Sequence, residues 1–242
     1  MEMSKLKILA ITDVHYIGIA NHTCRFSQRK CNIALKLIEQ VFENVNFEDI
    51  DVIALIGDLT DNGKADGALE DLMEIKKLAC EKNKPVIAVR GNHDVDAATF
   101  MNVFEDTNEI LEVNRYQFIH FHDEYEDNDV CHRNWDEMEK VFGKSKQGIP
   151  KIVFQHNPIY PKIEAKYPFN ITGYDKMTEY YAQKNVILSV SGHYHKGTSL
   201  VTEKGVSYVT VPALCEDPFC YGIIDIQDGK IDYIPCSLVS MP

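Results

Sequence analysis

Asp, His and Asn recur in five short clusters along the chain. They are Asp13-Val14-His15, Gly57-Asp58 with Asp61 three residues on, Gly91-Asn92-His93-Asp94, Gln155-His156-Asn157-Pro158, and Gly192-His193-Tyr194-His195. The donors are oxygen and nitrogen with no thiolate among them, a set suited to divalent metals of intermediate softness such as Mn, Fe or Zn. Asp13 and His15 are two residues apart, as are His193 and His195, so on extended backbone each pair points one way. The candidate ligands are Asp13, His15, Asp58, Asn92, His156, His193 and His195. That is too many for one ion and suits two ions sharing a carboxylate, so two divalent metal ions per chain are the expected cofactor. Any one cluster alone reads as a turn or a hydrogen-bonded rim histidine. Five in order, each at a predicted strand end, do not.

The elements that must position them are legible as periodic runs. Each cluster follows a short, apolar, largely β-branched stretch: residues 6–12, 51–57, 84–90, 151–155 and 185–191. Such runs suit strands covered on both faces, and in α/β sheets ligands gather at the carboxyl ends of strands. Between the first two, Ile33, Leu37, Val41 and Val45 repeat every four residues, the stripe of an amphipathic helix. Residues 66–83 predict a second helix, with Glu70, Asp71 and Glu74 early and lysines late, as the helix dipole favours. A third is predicted over 173–185. The C-terminal part turns to hairpins, one of them around Asp228-Gly229, so the sheets should be mixed. No linker or repeat divides the chain, which is expected to form one domain, 1–242. Residues 96–148 interrupt the strand rhythm and are expected to be a lid or pocket-lining insertion carrying Tyr116, His120, His122 and Trp135.

Bulk properties narrow the function. The chain has 242 residues, 45% hydrophobic and 26% charged, with a formal net charge of −12. An acidic chain is poorly matched to sequence-blind binding of nucleic acid. No stretch approaches the roughly 20 apolar residues of a membrane span, and the start does not read as a signal peptide. A cytoplasmic location is therefore expected. The seven cysteines are an odd number without a C-x-x-C pair, which predicts free thiols in a reducing compartment.

In order, the clusters read D-x-H, G-D-x-x-D, G-N-H-D, a lone His after a strand, and G-H-x-H. This set resembles the signature of the calcineurin-like metallophosphoesterase superfamily, and it spans Asp13 to His195. "GDLTDNG" and "GNHD" look most like its cyclic-nucleotide phosphodiesterase branch and bacterial relatives. The resemblance implies a four-layer α/β/β/α sandwich of mixed sheets with a dinuclear metal centre. It implies Asp13, His15, Asp58 and His195 on one metal, and Asp58, Asn92, His156 and His193 on the other, with Asp58 bridging. It further implies His93 as the catalytic histidine and Asp94 as its orienting partner. Asn62 stands where protein phosphatases of this fold have Arg. Arg90 matches their "RGNH" form and is a candidate phosphate contact. His22, on the loop after the first cluster, is a candidate for the substrate pocket.

Two such metals, roughly 3.5–4 Å apart, neutralise phosphoryl oxygens and hold a hydroxide for in-line attack. A protonated His93 would donate to the leaving oxygen. The expected function is hydrolysis of a small-molecule or nucleotide phosphodiester. A phosphomonoesterase or nucleotide pyrophosphohydrolase is the alternative. A non-catalytic scaffold is a third reading, but it predicts lost ligands, and here every position is filled.

Overall fold

The computed structural model describes residues 5–106 and 110–239. In chain order the strands are β1 (Leu6–Ile11), β2 (Val52–Ile56), β3 (Val86–Val89), β4 (Leu111–Val113), β5 (Tyr116–His120), β6 (Glu124–Tyr125), β7 (Cys131–His132), β8 (Lys151–Phe154), β9 (Val186–Ser191), β10 (Val201–Glu203), β11 (Val206–Thr210), β12 (Cys220–Gln227) and β13 (Lys230–Ser237). The helices are α1 (Ala34–Asn44), α2 (Ala68–Cys80), α3 (Ala97–Phe104), α4 (Trp135–Lys144) and α5 (Tyr174–Gln183). One sheet runs β13-β12-β1-β2-β3 and the other β10-β11-β9-β8-β5-β4, with β6-β7 a separate small hairpin. Strands β1, β2 and β3 are mutually parallel, as are β5, β8, β9 and β11, while β12 pairs antiparallel with both β1 and β13, β4 with β5, and β10 with β11.

Side-chain alternation sets the layers. Along β1, Leu6, Ile8 and Ala10 face the second sheet, where they meet Phe118, Ile152, Phe154 and Leu188 in one buried cluster. Leu9 and Ile11 face the other way, onto Leu37, Ile38 and Val41 of α1 and Leu72 of α2. The outer face of the second sheet, through Ile119, Val153 and Tyr208, packs on Met138 and Phe142 of α4 and on Met177 and Tyr181 of α5. Period-two strands with both faces apolar thus give four layers, helix, sheet, sheet, helix, as expected from the sequence. Among the described residues, no helix is long and apolar enough to cross a membrane.

Some local expectations need correction. Ile33 is not on the α1 stripe: it lies in the 3-10 turn before the helix and is 42% exposed. Residues 96–148, of which 107–109 lie outside the described residues, reach the cavity through Asp127 and Asp129, but most of the stretch belongs to the fold itself. They supply α3, α4 and the β4-β5 edge of the second sheet, with Tyr116 and Phe118 in the inter-sheet core. Trp135 packs edge-on against Tyr180 rather than facing the site. The free-thiol expectation fails for one pair. The loop after β1 folds back on itself, bringing the Cα atoms of Cys24 and Cys31 to 6.4 Å, and their sulfurs form a disulfide, a separation that fits such a bridge. Cys80, Cys131, Cys215, Cys220 and Cys236 are free.

Candidate metal centre

Five strand ends meet between the two sheets. The chain leaves β1 into Asp13 and His15, β2 into Asp58, β3 into Asn92, β8 into His156, and β9 into His193 and His195. Sharp turning is required to aim these side chains at one point. Asp13, His15, Asp58 and His193 all take positive φ, between 49° and 65°. For a non-glycine residue that costs on the order of 1–3 kcal/mol, and it persists only where neighbours fix it. Here they do. The amides of Asp13 and His15 donate to the carbonyls of Gly57 and Asp58 at 3.0 and 2.8 Å, locking the two loops together. Gly91 is needed for the same closeness, because a Cβ there would run into the Asp58 carboxylate.

The donors fall into two groups, Asp13 with His15 and His195, and Asp58 with His156 and His193. The Asp58 Oδ2 lies 3.3 Å from His156 Nε2 and 3.6 Å from His15 Nε2, so this carboxylate stands between the groups. Asp13 Oδ1 lies 3.3 Å from His195 Nε2. Other contacts fix the far side of each ligand. Asp13 Oδ2 accepts from Thr12 Oγ1 at 2.8 Å and from the His193 amide at 2.9 Å. His156 Nδ1 donates to the Ile56 carbonyl at 2.8 Å, and His195 Nδ1 pairs with Glu216 at 2.8 Å. His15 Nδ1 sits 3.2 Å from Asp61 Oδ1. Asn92 Nδ2 donates to Asp129. The inward atoms are left over: Asp13 Oδ1, Asn92 Oδ1 and the Nε2 atoms of His15, His156 and His193 are buried without a hydrogen-bond partner. A folded chain rarely buries polar atoms unsatisfied. Five converging on one spot, with the outer ring nitrogens of His15 and His156 held by a carboxylate and a carbonyl, are what metal ligation by histidine requires.

The charges respond to this crowding. Burial raises the pKa of Asp58, but His156 and His93 outweigh it and hold the carboxyl well below its ordinary range. Burial lowers the pKa of His156, yet Asp58 overcomes it and pushes the imidazole up to about 9. His195 is likewise lowered by burial and raised by Asp13, then Glu216, to about 10. His15 and His193 go the other way, to about 4 and about 3, chiefly by burial. At pH 7 the metal-free protein therefore carries protons on His156 and His195 that a metal must displace. Loading at pH 7 is expected to release about two protons per chain, and apparent affinity should rise with pH up to the 9–10 region. Calorimetry in buffers of different ionisation enthalpy reads this directly; proton release near zero would contradict it. The same pairs stabilise the metal-free fold through the linkage of protonation to folding. The His156 and His195 part is complete below their ordinary 6.5 and lost as pH rises through about 9–10. The Asp13 and Asp58 part is complete above 3.8 and lost in stronger acid.

The remaining predicted residues are placed differently. His93 lines the cavity, edge-on to His15 at 4.7 Å. Its Nδ1 donates to the main-chain carbonyl of Asp61 at 2.7 Å, not to Asp94. The Asp94 carboxylate instead accepts from the amides of Thr60 and Gly91, both at 2.9 Å, stapling the β2 and β3 loops. Arg90 does not reach the cavity. Its Nε donates to the Val95 carbonyl and its Nη1 to that of Asp123, and the guanidinium lies over Tyr125. His22 braces Asp61 Oδ2 at 3.2 Å rather than lining the pocket. His120 and His122 both pair with Asp106, at 2.6 and 2.7 Å. The Arg90 amide donates to His122 Nδ1. That ring therefore carries its proton on Nε2 and offers Asp106 a donor, not a metal a lone pair. Of the 96–148 stretch, Asp127 and Asp129 reach the cavity, while Tyr116, His120, His122 and Trp135 do not. Arg29 and Glu216 are the site residues that sequence reasoning passes over, and Asp61, though part of the second cluster, is given no role by it.

The cavity over these ligands measures about 760 Å³. Fold and donor set together define a metal-dependent phosphoesterase. Residues 6–197 match the Calcineurin-like phosphoesterase family, and the chain belongs to it; membership implies a dinuclear divalent metal centre. Among curated proteins none matches the chain in sequence. Among solved structures, a dimetal phosphatase from Danio rerio superposes with a TM-score of 0.74 at 12% identity, covering 99% of this chain and 100% of that one. TT1561 of Thermus thermophilus gives 0.65 at 15%, covering 95% and 98%. GAP50, the anchor in the inner membrane complex of Plasmodium, gives 0.62 at 13%, covering 97% and 85%. At such identities these likenesses speak to the fold alone.

Proposed function

We propose that this chain hydrolyses a small-molecule or nucleotide phosphodiester, as the resemblance to the cyclic-nucleotide phosphodiesterase branch suggests. Asp13, His15, Asp58 and His195 would hold one metal, and Asp58, Asn92, His156 and His193 the other. The observation that carries the reading is the convergence from both sheets of five buried donor atoms without a hydrogen bond, two of which face an opposite charge at 3.3 Å. A non-catalytic scaffold has no need to keep them aimed and unsatisfied. The bound ions would supply charge neutralisation at the phosphoryl oxygens and an acidified water; Mn, Fe and Zn all suit the donor set. The protein's own part is positioning and proton transfer. His93 presents Nε2 to the cavity because Nδ1 is tied to the Asp61 carbonyl, which suits proton donation to the departing oxygen. Asn62 lines the cavity where the protein phosphatases carry Arg, so one cation that would meet a monoester dianion is missing.

The diester reading predicts a higher kcat/KM for bis-p-nitrophenyl phosphate than for p-nitrophenyl phosphate, measured with the same metal at saturation. A clear preference for the monoester across neutral pH would replace it with the phosphomonoesterase reading. That alternative has one observation in its favour: Arg25, Arg29, Lys64 and Lys196 line the mouth, beside Asp58, Asp94, Asp127, Asp129 and Glu216, so cations are at hand for a monoester dianion.

A further inference from the structure

The cavity is polarised. On the Asp13, His15 and His195 side stands a cationic wall. Arg29 Nη1 lies 3.1 Å from His15 Nδ1 and 3.5 Å from Asp61, and its guanidinium sits 4.8 Å over the Phe26 ring. Arg25 flanks the same ring at 5.3 Å. Lys196 follows His195 directly, and Lys64 lines the same mouth. Among the described residues, no carboxylate comes within 4.0 Å of Arg25, Lys64 or Lys196. Three cations without a carboxylate partner thus line one opening, which Asp58, Asp94, Asp127, Asp129 and Glu216 line as well. On the His193 side stands an aromatic wall, with Tyr167 and Phe169 at 5.5 and 5.7 Å from the His193 ring. Asp129 belongs to this second wall, through Asn92 and Tyr167.

The cationic wall is built, not incidental. The loop that carries Arg25 and Arg29 is closed by the Cys24–Cys31 disulfide. It is also pinned to α2, where the fully buried Asp71 carboxylate accepts from the amides of Gly18, Ile19 and Ala20 at 2.9, 2.6 and 3.2 Å. Ordering a loop costs conformational entropy per residue, and here several residues are ordered to hold two arginines beside the ligands. Arg29 is mostly enclosed, between Asp61 and Glu216, and both carboxylates already serve histidines. Its side chain lines the cavity, and a guanidinium is well shaped for contact with a phosphoryl oxygen.

We propose that this wall is a second phosphoryl subsite, so that the substrate is a diphosphate ester bearing an aromatic ring, such as a nucleoside diphosphate derivative. The second phosphoryl group rests on Arg29 and Arg25, and the ring lies against Tyr167 and Phe169. This rests on the hydrolytic reading above and turns it towards its pyrophosphohydrolase alternative, because the attacked phosphorus of a diphosphate diester, like that of a phosphodiester, carries one negative charge. Water adds across the bridge: its oxygen bonds to the attacked phosphorus, the bridging P–O bond breaks, and the bridging oxygen leaves with the second phosphoryl group. The proton lost by the water balances the one that the leaving group takes up, and the products are two phosphomonoesters.

The test compares two probes that differ only in the second phosphoryl group, AMP and α,β-methylene-ADP, whose bridge this chemistry does not cleave. Calorimetry on the metal-loaded full chain should find the diphosphonate analogue at least about tenfold tighter. Arg29→Gln and, separately, Arg25→Gln should each erode that ratio. Arg25 is exposed and lies over the Phe26 ring, so its replacement keeps the test informative if the Arg29 variant folds poorly. Metal content is read before and after each titration. Equal affinity for the two probes in the native protein, or variants that weaken both probes alike, would overturn the subsite. Loss of hydrolysis of bis-p-nitrophenyl phosphate by the native, loaded protein would instead overturn the phosphodiester reading while leaving the binding ratio to stand or fall by itself.

Discussion

Asp58→Ala is expected to empty the centre, taking metal content from two ions per chain towards none and abolishing turnover with it. The geometry makes this residue different from the other six donors. Among the described residues, its Oδ2 is the only carboxylate atom within 3.6 Å of ring nitrogens from both donor groups, His156 at 3.3 Å and His15 at 3.6 Å. Its Oδ1 accepts the His93 amide at 2.8 Å, so the same side chain ties the β3 loop to the β2 loop. Loss of a group that merely orients a ligand typically costs 10–100-fold in metal affinity; loss of a ligand shared by two ions should cost more on each. The charge matters as well as the contact. Without Asp58, His156 loses the neighbour that outweighs its burial, and two or more buried histidines would face an incoming dication with only Asp13 to offset it. Asp58→Asn keeps the shape and the acceptor for the His93 amide, and so separates metal loss from loop collapse. Elemental analysis and thermal unfolding of both variants check the prediction. A variant that retains a full complement of two ions would show that the carboxylate does not bridge.

The positions that can be read from sequence share one property: they follow directly from a buried strand. Apolar runs of period two fix where β1, β2, β3, β8 and β9 end, and a donor within a few residues of a parallel strand end has few places to go. Glu216 and Arg29 have no such anchor. Glu216 reaches His195 from 21 residues further along, on the loop after β11, and Arg29 reaches His15 from 14 residues on. Loops lack a periodicity that would place them. Asp61 is visible in the motif, but half of its role is carried by a main-chain carbonyl, which any residue possesses. Arg90 shows the opposite failure. Its neighbours match a phosphate-binding motif, yet its guanidinium is consumed by the carbonyls of Val95 and Asp123. Residues 96–148 mislead for a simpler reason. Strands β4, β6 and β7 have two or three residues each, too few to display alternation, so β5 stands without a legible neighbour and an edge of the second sheet reads as an insertion.

His93→Ala is expected to leave both metals in place and to lose roughly 10²–10⁴-fold in kcat, the range of general acid–base catalysis. The distinction from Asp58 is geometric. What Asp58 takes from His93 is its main-chain N–H, which alanine retains. The imidazole itself is held by the Asp61 carbonyl at 2.7 Å, lies edge-on to the His15 ring and lines the cavity. A carbonyl partner accepts from Nδ1 but cannot take the proton away, so it fixes ring orientation without storing charge as a carboxylate would. Asp94→Asn should consequently act on loop stability and leave the pH profile of turnover in place. The loss in His93→Ala should depend on the leaving group. An alkoxide needs the proton as the P–O bond breaks, whereas p-nitrophenolate departs readily without it. Alkyl esters should therefore suffer most, and the slope of log kcat against leaving-group pKa should steepen in the variant. Metal content falling with the rate would assign His93 to the ligand set instead, and an unchanged slope would remove its role as proton donor.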